Sequence, residues 1–282
     1  MTNEGVKVSR VLVTGGSRGI GRSICLRIAQ GALARGEQPR LLVTATGNSP
    51  DLAAVVAELQ ALGAQAKAVT GDLNDPAVPA RLVAEALEFC GGLDALVHNA
   101  GGAIASPLAK VKLEDWDSVF AINCRAFFLL GQASNRALRD SKGSLCAIGS
   151  SASETVQPYL GAYPPAKAAL AMLVNQMAYE WGPHGIRVNC VSPGLTLSRS
   201  TEAALASDED RARAGGHIPL RRVASPDEIA AVVAFVVGPD AGYLTGENIN
   251  VDGGLRHIGS ETMLNDRPDA WAAQDAGRLK PS

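Results

Sequence analysis

A tyrosine and a lysine lie four residues apart in the sequence YPPAK, at Tyr163 and Lys167. On a helix this spacing puts both side chains on one face. A phenol can donate or accept a proton, and a nearby ammonium group lowers its pKa by favouring the ionised form, so the pair suits acid–base chemistry near neutral pH. A proline breaks a helix interior but is tolerated in the first turn, where its missing N–H has no partner to lose. We therefore predict a helix that begins near Ala162 or Tyr163 and holds Pro164 and Pro165 in its first turn. The alternative is a loop that contains both residue types by chance.

A second stretch with chemical potential is the glycine-rich sequence TGGSRGIG at residues 14–21. It follows an apolar run and opens a helical pattern. Glycines permit a tight turn and close backbone approach, and the N–H groups at a helix N-terminus attract a pyrophosphate. Gly15, Gly19 and Gly21 give the spacing GxxxGxG instead of GxGxxG. The stretch indicates a dinucleotide site, although taken alone it could be only a turn between a strand and a helix.

The elements that would position these residues alternate along the chain. Short apolar runs, typical of parallel strands buried on both faces, occupy residues 8–14, 40–46, 66–72, 93–99, 143–150, 187–192 and 247–252. Helical patterns occupy residues 19–34, 51–62, 78–90, 114–138, 168–181 and 225–237. This alternation predicts an α/β fold with a single doubly wound parallel sheet of about seven strands and helices on both faces.

Two segments fall outside that alternation. Residues 194–222 are long, charged and contain glycine, which is typical of a lid over a site. We assign residues 1–254 to one catalytic domain that includes this lid segment, and residues 255–282 to a C-terminal extension. Trp271 in the extension is a candidate anchor on a neighbouring subunit or over the active site; the alternative is a frayed end.

Composition narrows the class of protein. The 282 residues are 46% hydrophobic and 19% charged, with a net charge of −2 and no basic block, which argues against a nucleic-acid partner. No apolar run is long enough to cross a membrane, so we expect a soluble cytoplasmic protein. The five cysteines and four histidines are scattered without metal-ligand spacing, and we expect no metal site.

The glycine spacing together with the downstream Tyr-x-x-x-Lys resembles the short-chain dehydrogenase/reductase family, over residues 8 to about 255. Further motifs agree: Asn99-Ala100-Gly101 after the fourth strand, Asp72 in GDLND, Pro193-Gly194 after the sixth strand, and YLTGENINVDGG at residues 243–254. The branch that the sequence resembles most is that of the 3-oxoacyl-acyl-carrier-protein reductases. The resemblance implies a Rossmann fold and an oxidoreductase that transfers hydride between a nicotinamide cofactor and a carbonyl or secondary alcohol.

The resemblance also implies the catalytic residues. Tyr163 would be the proton donor and acceptor, Ser150 would hydrogen-bond the substrate oxygen, and Lys167 would lower the pKa of the phenol and bind the nicotinamide ribose. Asn123 would complete a water-linked proton relay. Ser151 and Ser153 are alternatives to Ser150, whose thirteen-residue distance from Tyr163 is usual for the family.

The implied cofactor site has many members: Gly15, Ser17, Arg18, Gly19, Ile20, Gly21, Thr46, Asp72, Leu73, Asn99, Ala100, Gly101, Tyr163, Lys167, Pro193, Gly194, Thr196 and Ser198. An NAD site usually has an acid at the end of the second strand, but LLVTATGNSP contains none before Asp51. Arg18 and Thr46 could instead hold a 2′-phosphate. We therefore expect a preference for NADP(H), with NAD(H) possible.

Substrate contacts are expected from residues 103–106, residues 151–160 and the lid segment, but fold alone does not identify the small carbonyl or alcohol substrate. We expect a homodimer or homotetramer that packs through residues 114–138 and 160–181. Two alternative functions remain at this stage. One is a catalytically silent dinucleotide-binding sensor, and the other is an epimerase or dehydratase with a tightly held cofactor, although such relatives are longer.

Overall fold

The computed structural model describes residues 7–198 and 201–257 of the chain. Their strands form one sheet in which all pairs of neighbours run parallel. The strands are β1 (Arg10–Thr14), β2 (Arg40–Ala45), β3 (Gln65–Thr70), β4 (Ala95–His98), β5 (Ser144–Ile148), β6 (Arg187–Pro193) and β7 (Asn248–Val251). Trp271 and the proposed extension from residue 258 onward lie outside the described residues.

Helices connect the strands in the predicted alternation. They are α1 (Gly19–Ala34), α2 (Pro50–Ala61), α3 (Val78–Cys90), α4 (Leu113–Phe120), α5 (Ala126–Ser141), α6 (Tyr163–Trp181), α7 (Asp208–Gly216) and α8 (Pro226–Val237). The prediction of a doubly wound parallel sheet is confirmed. None of the helices in the described part of the chain is long and apolar enough to cross a membrane.

The order of strands in the sheet is β3-β2-β1-β4-β5-β6-β7. The chain reverses its direction of growth between β1 and β4, and open α/β sheets bind ligands in the crevice at the carboxyl ends of such strands. One apolar core, lined by α1, α2 and α8, covers one face of the sheet. A second core, lined by α3, α5 and α6, covers the other. The carboxyl ends of β1 and β4 therefore border the expected ligand crevice, and the two cores hold both strands in place.

Burial on both faces holds for the central strands but is wrong for the two edge strands. Val11, Leu12 and Val13 in β1 have no exposed surface. In contrast, only two of the six residues of β3 are buried, and all four residues of β7 are only half-buried. An edge strand has a neighbour on one side only, so its side chains are covered less completely.

The helix predicted over residues 114–138 is also not continuous. It ends as α4 at Phe120, passes through a π-helical segment at Ala121–Arg125 and resumes as α5. In the segment the Ala126 N–H donates to the carbonyl of Ala121, five residues back. A π-turn inserts one residue into a helix and is often found at functional sites. Hydrophobic periodicity did not predict it, because one extra residue shifts the apolar pattern only slightly.

The lid segment contains α7, whose first turn is closed by a reciprocal capping box between Ser207 and Asp210. The beginning of the segment is anchored, because Thr196 forms a parallel bridge with Ala224. Ser225 caps α8, again with a reciprocal partner, Glu228.

Candidate active site

Tyr163 is the first residue of α6, and both prolines lie in the first turn behind it. The preceding Ala162 already has helical dihedral angles, φ −78° and ψ −9°. The carbonyl of Ala162 accepts a hydrogen bond from Ala166 N at 3.0 Å. The first helical hydrogen bond is thus donated by a residue that follows both prolines, whose missing N–H groups cost the helix nothing. Tyr163 and Lys167 therefore remain one helical turn apart, as the sequence predicts.

The phenol of Tyr163 lies against Ser150 and Lys167. The Ser150 side chain lies near enough to the phenol to favour its ionised form and so lower its pKa, and the Lys167 Nζ lies 5.6 Å from the centre of the phenol ring. Burial raises the pKa of Tyr163 above its ordinary value, and the Ser150 hydrogen bond offsets this only in part. The expectation of a lowered phenol pKa is not met, because desolvation of the phenolate exceeds the favourable contacts. The phenol is thus a protonated acid at neutral pH.

Ser150 is held by its own local structure. It follows β5 and caps a short 3₁₀ turn at Ser151–Ser153, and its Oγ accepts a hydrogen bond from Ala152 N at 3.1 Å. The Ser153 hydroxyl donates to the Ser150 carbonyl at 2.8 Å. The Ser153 hydroxyl is thereby occupied within the turn, and Ser150 is the serine that affects the pKa of the phenol.

Lys167 is almost fully buried, with 4% of its surface exposed. Its Nζ donates a hydrogen bond to the Ile148 carbonyl at 2.7 Å. Burial lowers the pKa of this ammonium group to about 8. Two of its three N–H donors stay available for other groups in the site.

Asn123 lies in the π-helical segment and is completely buried. Its Nδ2 donates to the carbonyls of Gly102 and Val119, both at 2.8 Å. A Cβ atom placed on Gly101 would lie 2.6 Å from Asn123 Oδ1 and 3.4 Å from Lys167 Nζ. Asn123 and Lys167 therefore converge on Gly101, where only a glycine leaves room.

The glycine loop is closely packed against the end of β4. A Cβ on Gly21 would lie 2.1 Å from the Gly15 carbonyl oxygen, and Gly15 itself has a φ of +64°. The Asn99 Nδ2 donates to that same carbonyl at 2.8 Å. A side chain at Gly21 would collide with the Gly15 carbonyl, so only glycine fits at this position of the loop.

The N-terminus of α1 offers an anion site beside this loop. Arg18 is the N-cap residue, no side chain caps the helix, and the first turn contains no acid. Gly19 has a φ of +52°, and a Cβ there would lie no nearer than 3.9 Å to Ser198 in the lid segment. A cavity of about 780 Å³ lies between Ser17–Gly19, α2 and the lid segment. The uncapped helix end fits the diphosphate of a dinucleotide.

Arg18 does not stand alone at this cavity. Its Nη1 lies 3.7 Å from Asp51 Oδ2, and both side chains are about half exposed. Asp51 lies in the first turn of α2, whose N-cap is Ser49. The sequence indicated the absence of an acid at the end of β2, but the fold brings this later acid to the arginine. Thr46 lies between them in sequence and is exposed.

The other predicted cofactor residues follow the carboxyl ends of the strands. Asp72 is exposed and accepts a hydrogen bond from Asn74 N at 2.9 Å, whereas the Leu73 side chain is buried in the core, so only its backbone is free to meet a ligand. A Cβ on Gly194 would lie 2.7 Å from the Asp252 Cα, and the Thr196 hydroxyl donates to the Gly194 carbonyl at 3.1 Å. The remaining members on this edge are Ser17, Ile20, Ala100 and Pro193.

The two loops expected to contact substrate are joined to each other. Ser106 and Leu160 form an isolated parallel bridge, and Ser106 N donates to the Tyr159 carbonyl at 2.9 Å. Tyr159 has a φ of +65°, which is uncommon for a residue with a side chain, and 71% of its surface is exposed. Strained residues of this kind cluster at ligand sites.

Two polar residues near the site were not identified from the sequence. Glu154 Oε1 accepts hydrogen bonds from Asn248 at 2.8 Å and Asn250 at 3.0 Å, so this carboxylate joins the loop after β5 to β7. His98, at the end of β4, bonds to Thr14 and Ile122. The only signal for His98 was its position before Asn99-Ala100-Gly101, where the family more often has asparagine.

Residues 19–256 match the profile of a family described as enoyl-(acyl carrier protein) reductase. The glucose 1-dehydrogenase of Gluconobacter oxydans is 33% identical over 94% of this chain and 96% of its own length. The 3-oxoacyl-acyl-carrier-protein reductase FabG of Staphylococcus aureus is 34% identical over 86% of this chain and 96% of its own length.

Solved structures agree with the fold. A blue fluorescent protein from a metagenomic library, in complex with NADPH, has a TM-score of 0.78 and 32% identity, with 88% of this chain and 97% of its own covered. A 7α-hydroxysteroid dehydrogenase complexed with NADH and a 7-oxo bile acid has a TM-score of 0.81 and 27% identity, with 92% and 100% covered. The dehydrogenases and reductases to which this chain is similar indicate a carbonyl/alcohol oxidoreductase. The chain belongs to the short-chain dehydrogenase/reductase family.

Proposed function

We propose that this protein is an NADP(H)-dependent oxidoreductase that interconverts a carbonyl and a secondary alcohol, with Tyr163 as the proton donor and acceptor. The observation that carries the proposal is the convergence of Tyr163, Ser150 and Lys167 at the carboxyl edge of the sheet. The phenol lies near Ser150, and the Lys167 Nζ lies 5.6 Å from the centre of its ring. This is the arrangement that a proton transfer to a nascent alkoxide requires.

The division of labour follows from the chemistry of each group. A bound reduced nicotinamide supplies the hydride that goes to the carbonyl carbon. Tyr163 donates its proton to the carbonyl oxygen, and Ser150 donates a hydrogen bond to that oxygen as negative charge develops on it. The Lys167 charge stabilises the phenolate that is left behind. At an effective dielectric constant of about 20, a charge at the 5.6 Å that separates Nζ from the ring centre is worth about 3 kcal/mol before desolvation is subtracted.

The proton must then be replaced on the phenolate. Lys167 is too well buried to meet bulk water directly, and Asn123 lies beside it at Gly101. We therefore assign Asn123 to a relay that passes protons from water toward Lys167 and Tyr163. Both Asn123 Nδ2 hydrogens are bonded to backbone carbonyls, which fixes the orientation of the amide.

The cofactor would lie along the glycine loop. The uncapped N-terminus of α1 would hold the diphosphate, Asn99-Ala100-Gly101 and Asp72 would contact the adenosine part, and Pro193-Gly194 would face the nicotinamide. For the phosphate that distinguishes NADP(H), we assign Arg18 with Thr46. Guanidinium groups bind phosphate through paired hydrogen bonds. Arg18 is half exposed at the cavity, so it can turn toward such a group.

The test is cofactor oxidation by the purified protein with NADPH and NADH in parallel, against β-ketoacyl thioesters, ketones and ketoses. We expect turnover that prefers NADPH and falls by about 10²-fold or more in Tyr163→Phe. Tyr179→Phe is the matched control, since Tyr179 lies on the same helix with 86% of its surface exposed. If the protein binds the cofactor but turns over none of the carbonyls tested, that result would contradict the proposal and favour a dinucleotide-binding module instead.

A further inference from the structure

The two hydrogen-bond partners of His98 determine the tautomer of its imidazole ring. The ring is buried, with 1% of its surface exposed, at the carboxyl end of β4. Nε2 lies 3.0 Å from the Ile122 carbonyl oxygen. A carbonyl oxygen can only accept, so Nε2 must carry the hydrogen. Nδ1 of the neutral ring then accepts from the Thr14 hydroxyl, 3.0 Å away.

The chain of bonds continues on the cofactor side. Thr14 Oγ1 accepts from Ala100 N at 3.2 Å, while its own hydrogen points to His98. The bonds therefore run in one direction, from the Ala100 N–H through Thr14 and His98 to the Ile122 carbonyl. Burial lowers the pKa of His98 to about 3, and the Lys167 charge adds to this effect. The ring stays neutral at physiological pH, which keeps this pattern intact.

The π-helical segment explains why the Ile122 carbonyl needs this partner. In an α-helix that carbonyl would accept from the N–H of residue 126. The Ala126 N–H bonds instead to the Ala121 carbonyl, which leaves the Ile122 carbonyl without its α-helical donor. His98 supplies a donor in its place. The Phe127 ring, with its centre 5.9 Å from that of His98, restricts movement of the imidazole.

We propose that His98 is a positioning residue that holds the Asn123 turn in register with the cofactor loop. Ile122 immediately precedes Asn123, so the position of the Ile122 carbonyl sets the path of the backbone that carries the relay amide. Thr14 and Ala100 belong to the two strand ends that flank the proposed dinucleotide site. A single ring thus joins the cofactor cradle to the proton relay. The kinetic consequences rest on the proposed function.

Two substitutions separate hydrogen bonding from bulk. His98→Phe keeps a planar ring but removes both bonds, whereas His98→Gln retains one donor and one acceptor on a planar group. We expect His98→Phe to lower kcat by about ~10-fold or more, while the dissociation constant for NADPH changes little because Thr14 keeps its bond to Ala100. We expect His98→Gln to recover most of kcat. Equal kcat in His98→Phe and wild type, or an equal loss in both variants, would overturn the proposal.

Two further measurements do not depend on turnover. Imidazole ¹⁵N NMR of the wild type should show the Nε2–H tautomer, with no titration of His98 between about pH 5 and about pH 8. Hydrogen exchange of residues 121–126 should be faster in His98→Phe than in His98→Gln. An Nδ1–H tautomer or unchanged exchange would overturn the role of His98. Absence of wild-type turnover with these two results intact would count against the proposed function alone.

Discussion

Lys167 places a positive charge where solvation is poor, and this has a consequence for the pH dependence of the reaction. Its Nζ has one backbone acceptor, the Ile148 carbonyl, and no carboxylate is paired with it among the described residues. Burial penalises the charged form and lowers the pKa to about 8. The same burial raises the pKa of Tyr163. As the pH rises, Lys167 therefore loses its proton before Tyr163 does, which is the reverse of the order of their ordinary pKa values.

The pH profile of carbonyl reduction should report Lys167. The phenol stays protonated as pH rises, because its pKa is raised, but the lysine charge is lost through about pH 8. We expect kcat/KM for reduction to fall with an apparent pKa near 8 when measured from about pH 6 to about pH 10. In Lys167→Arg the charge persists at all these pH values, so the decline near pH 8 should disappear even though the rate is lower. A kcat/KM that stays constant up to about pH 10 would show that the loss of the Lys167 charge does not limit the rate.

The helix α6 shows how a sequence with two prolines can still hold Tyr163 and Lys167 one helical turn apart. Pro164 and Pro165 follow Tyr163 at the start of the helix, where backbone N–H groups have no helical acceptor. The chain enters the helix through Ala162, and Tyr163 N donates to the Leu160 carbonyl at 3.0 Å. The two prolines also restrict the unfolded chain, which lowers the entropy that is lost on folding.

Replacing the prolines tests this account of α6. We expect Pro164→Ala/Pro165→Ala to retain the helix start and to change the free energy of unfolding by no more than about 1 kcal/mol for each substitution. In Met172→Pro we expect a loss of about 3 kcal/mol or more. Met172 is a suitable comparison since 66% of its surface is exposed and little packing is lost. Chemical denaturation measures both. A large loss in the double variant would show that the prolines hold Tyr163 in place.

Sequence patterns predicted the positions of strands and helices better than the irregular segments within them. The runs that became β1 and β5 and the helices α1 and α3 were placed to within a few residues, because buried strands and amphipathic helices have strong periodic signals. The π-helical segment at Ala121–Arg125 was missed because one extra residue shifts the apolar pattern only slightly, and the contact of His98 with the Ile122 carbonyl was missed because the two residues are far apart in sequence. Likewise, β7 was assumed to be buried although its place at the sheet edge follows only from topology.

Site residues were predictable where they belong to a spaced motif. Tyr163, Lys167 and the glycine loop could be named from the sequence because spacing on a helix or a turn determines their geometry. Asp51 could not be related to Arg18 in that way, since their contact depends on how α2 packs beside the start of α1. Its proximity to Arg18 is therefore a property of the tertiary fold.

The assembled molecule brings the loops of both halves of the sheet to one edge, where the strand order reverses between β1 and β4. The cavity of about 780 Å³ at this edge is lined by the glycine loop, by α2 and by the lid segment, three parts of the chain that are far apart in sequence. A ligand that contacts all three would stabilise the folded protein as a whole. Cofactor preference should therefore be visible as a difference in thermal stability.

We expect NADPH to raise Tm more than NADH at equal concentration. Ligand at 100 times its Kd contributes about 2.7 kcal/mol, and each kcal/mol raises Tm by about 2–4 °C in a domain of this size. The ion pair of Arg18 and Asp51 is half exposed and worth only about 0.2–1 kcal/mol, so a 2′-phosphate can displace it. Arg18→Ala should abolish the difference between the two cofactors, and Asp51→Asn should enlarge it by removing a competing and repelling carboxylate.

The control for this comparison is Arg22→Ala, which lies on the same cavity but pairs with Glu58 at 2.5 Å. If charge in the cavity were sufficient, loss of either arginine would reduce the effect of NADPH equally. If Arg18 binds the phosphate, only Arg18→Ala removes the preference, because its place at the N-terminus of α1 puts it beside the proposed diphosphate site. A larger Tm increase with NADH in the wild type would instead mean that Asp51 keeps Arg18 occupied and that the protein prefers NAD(H).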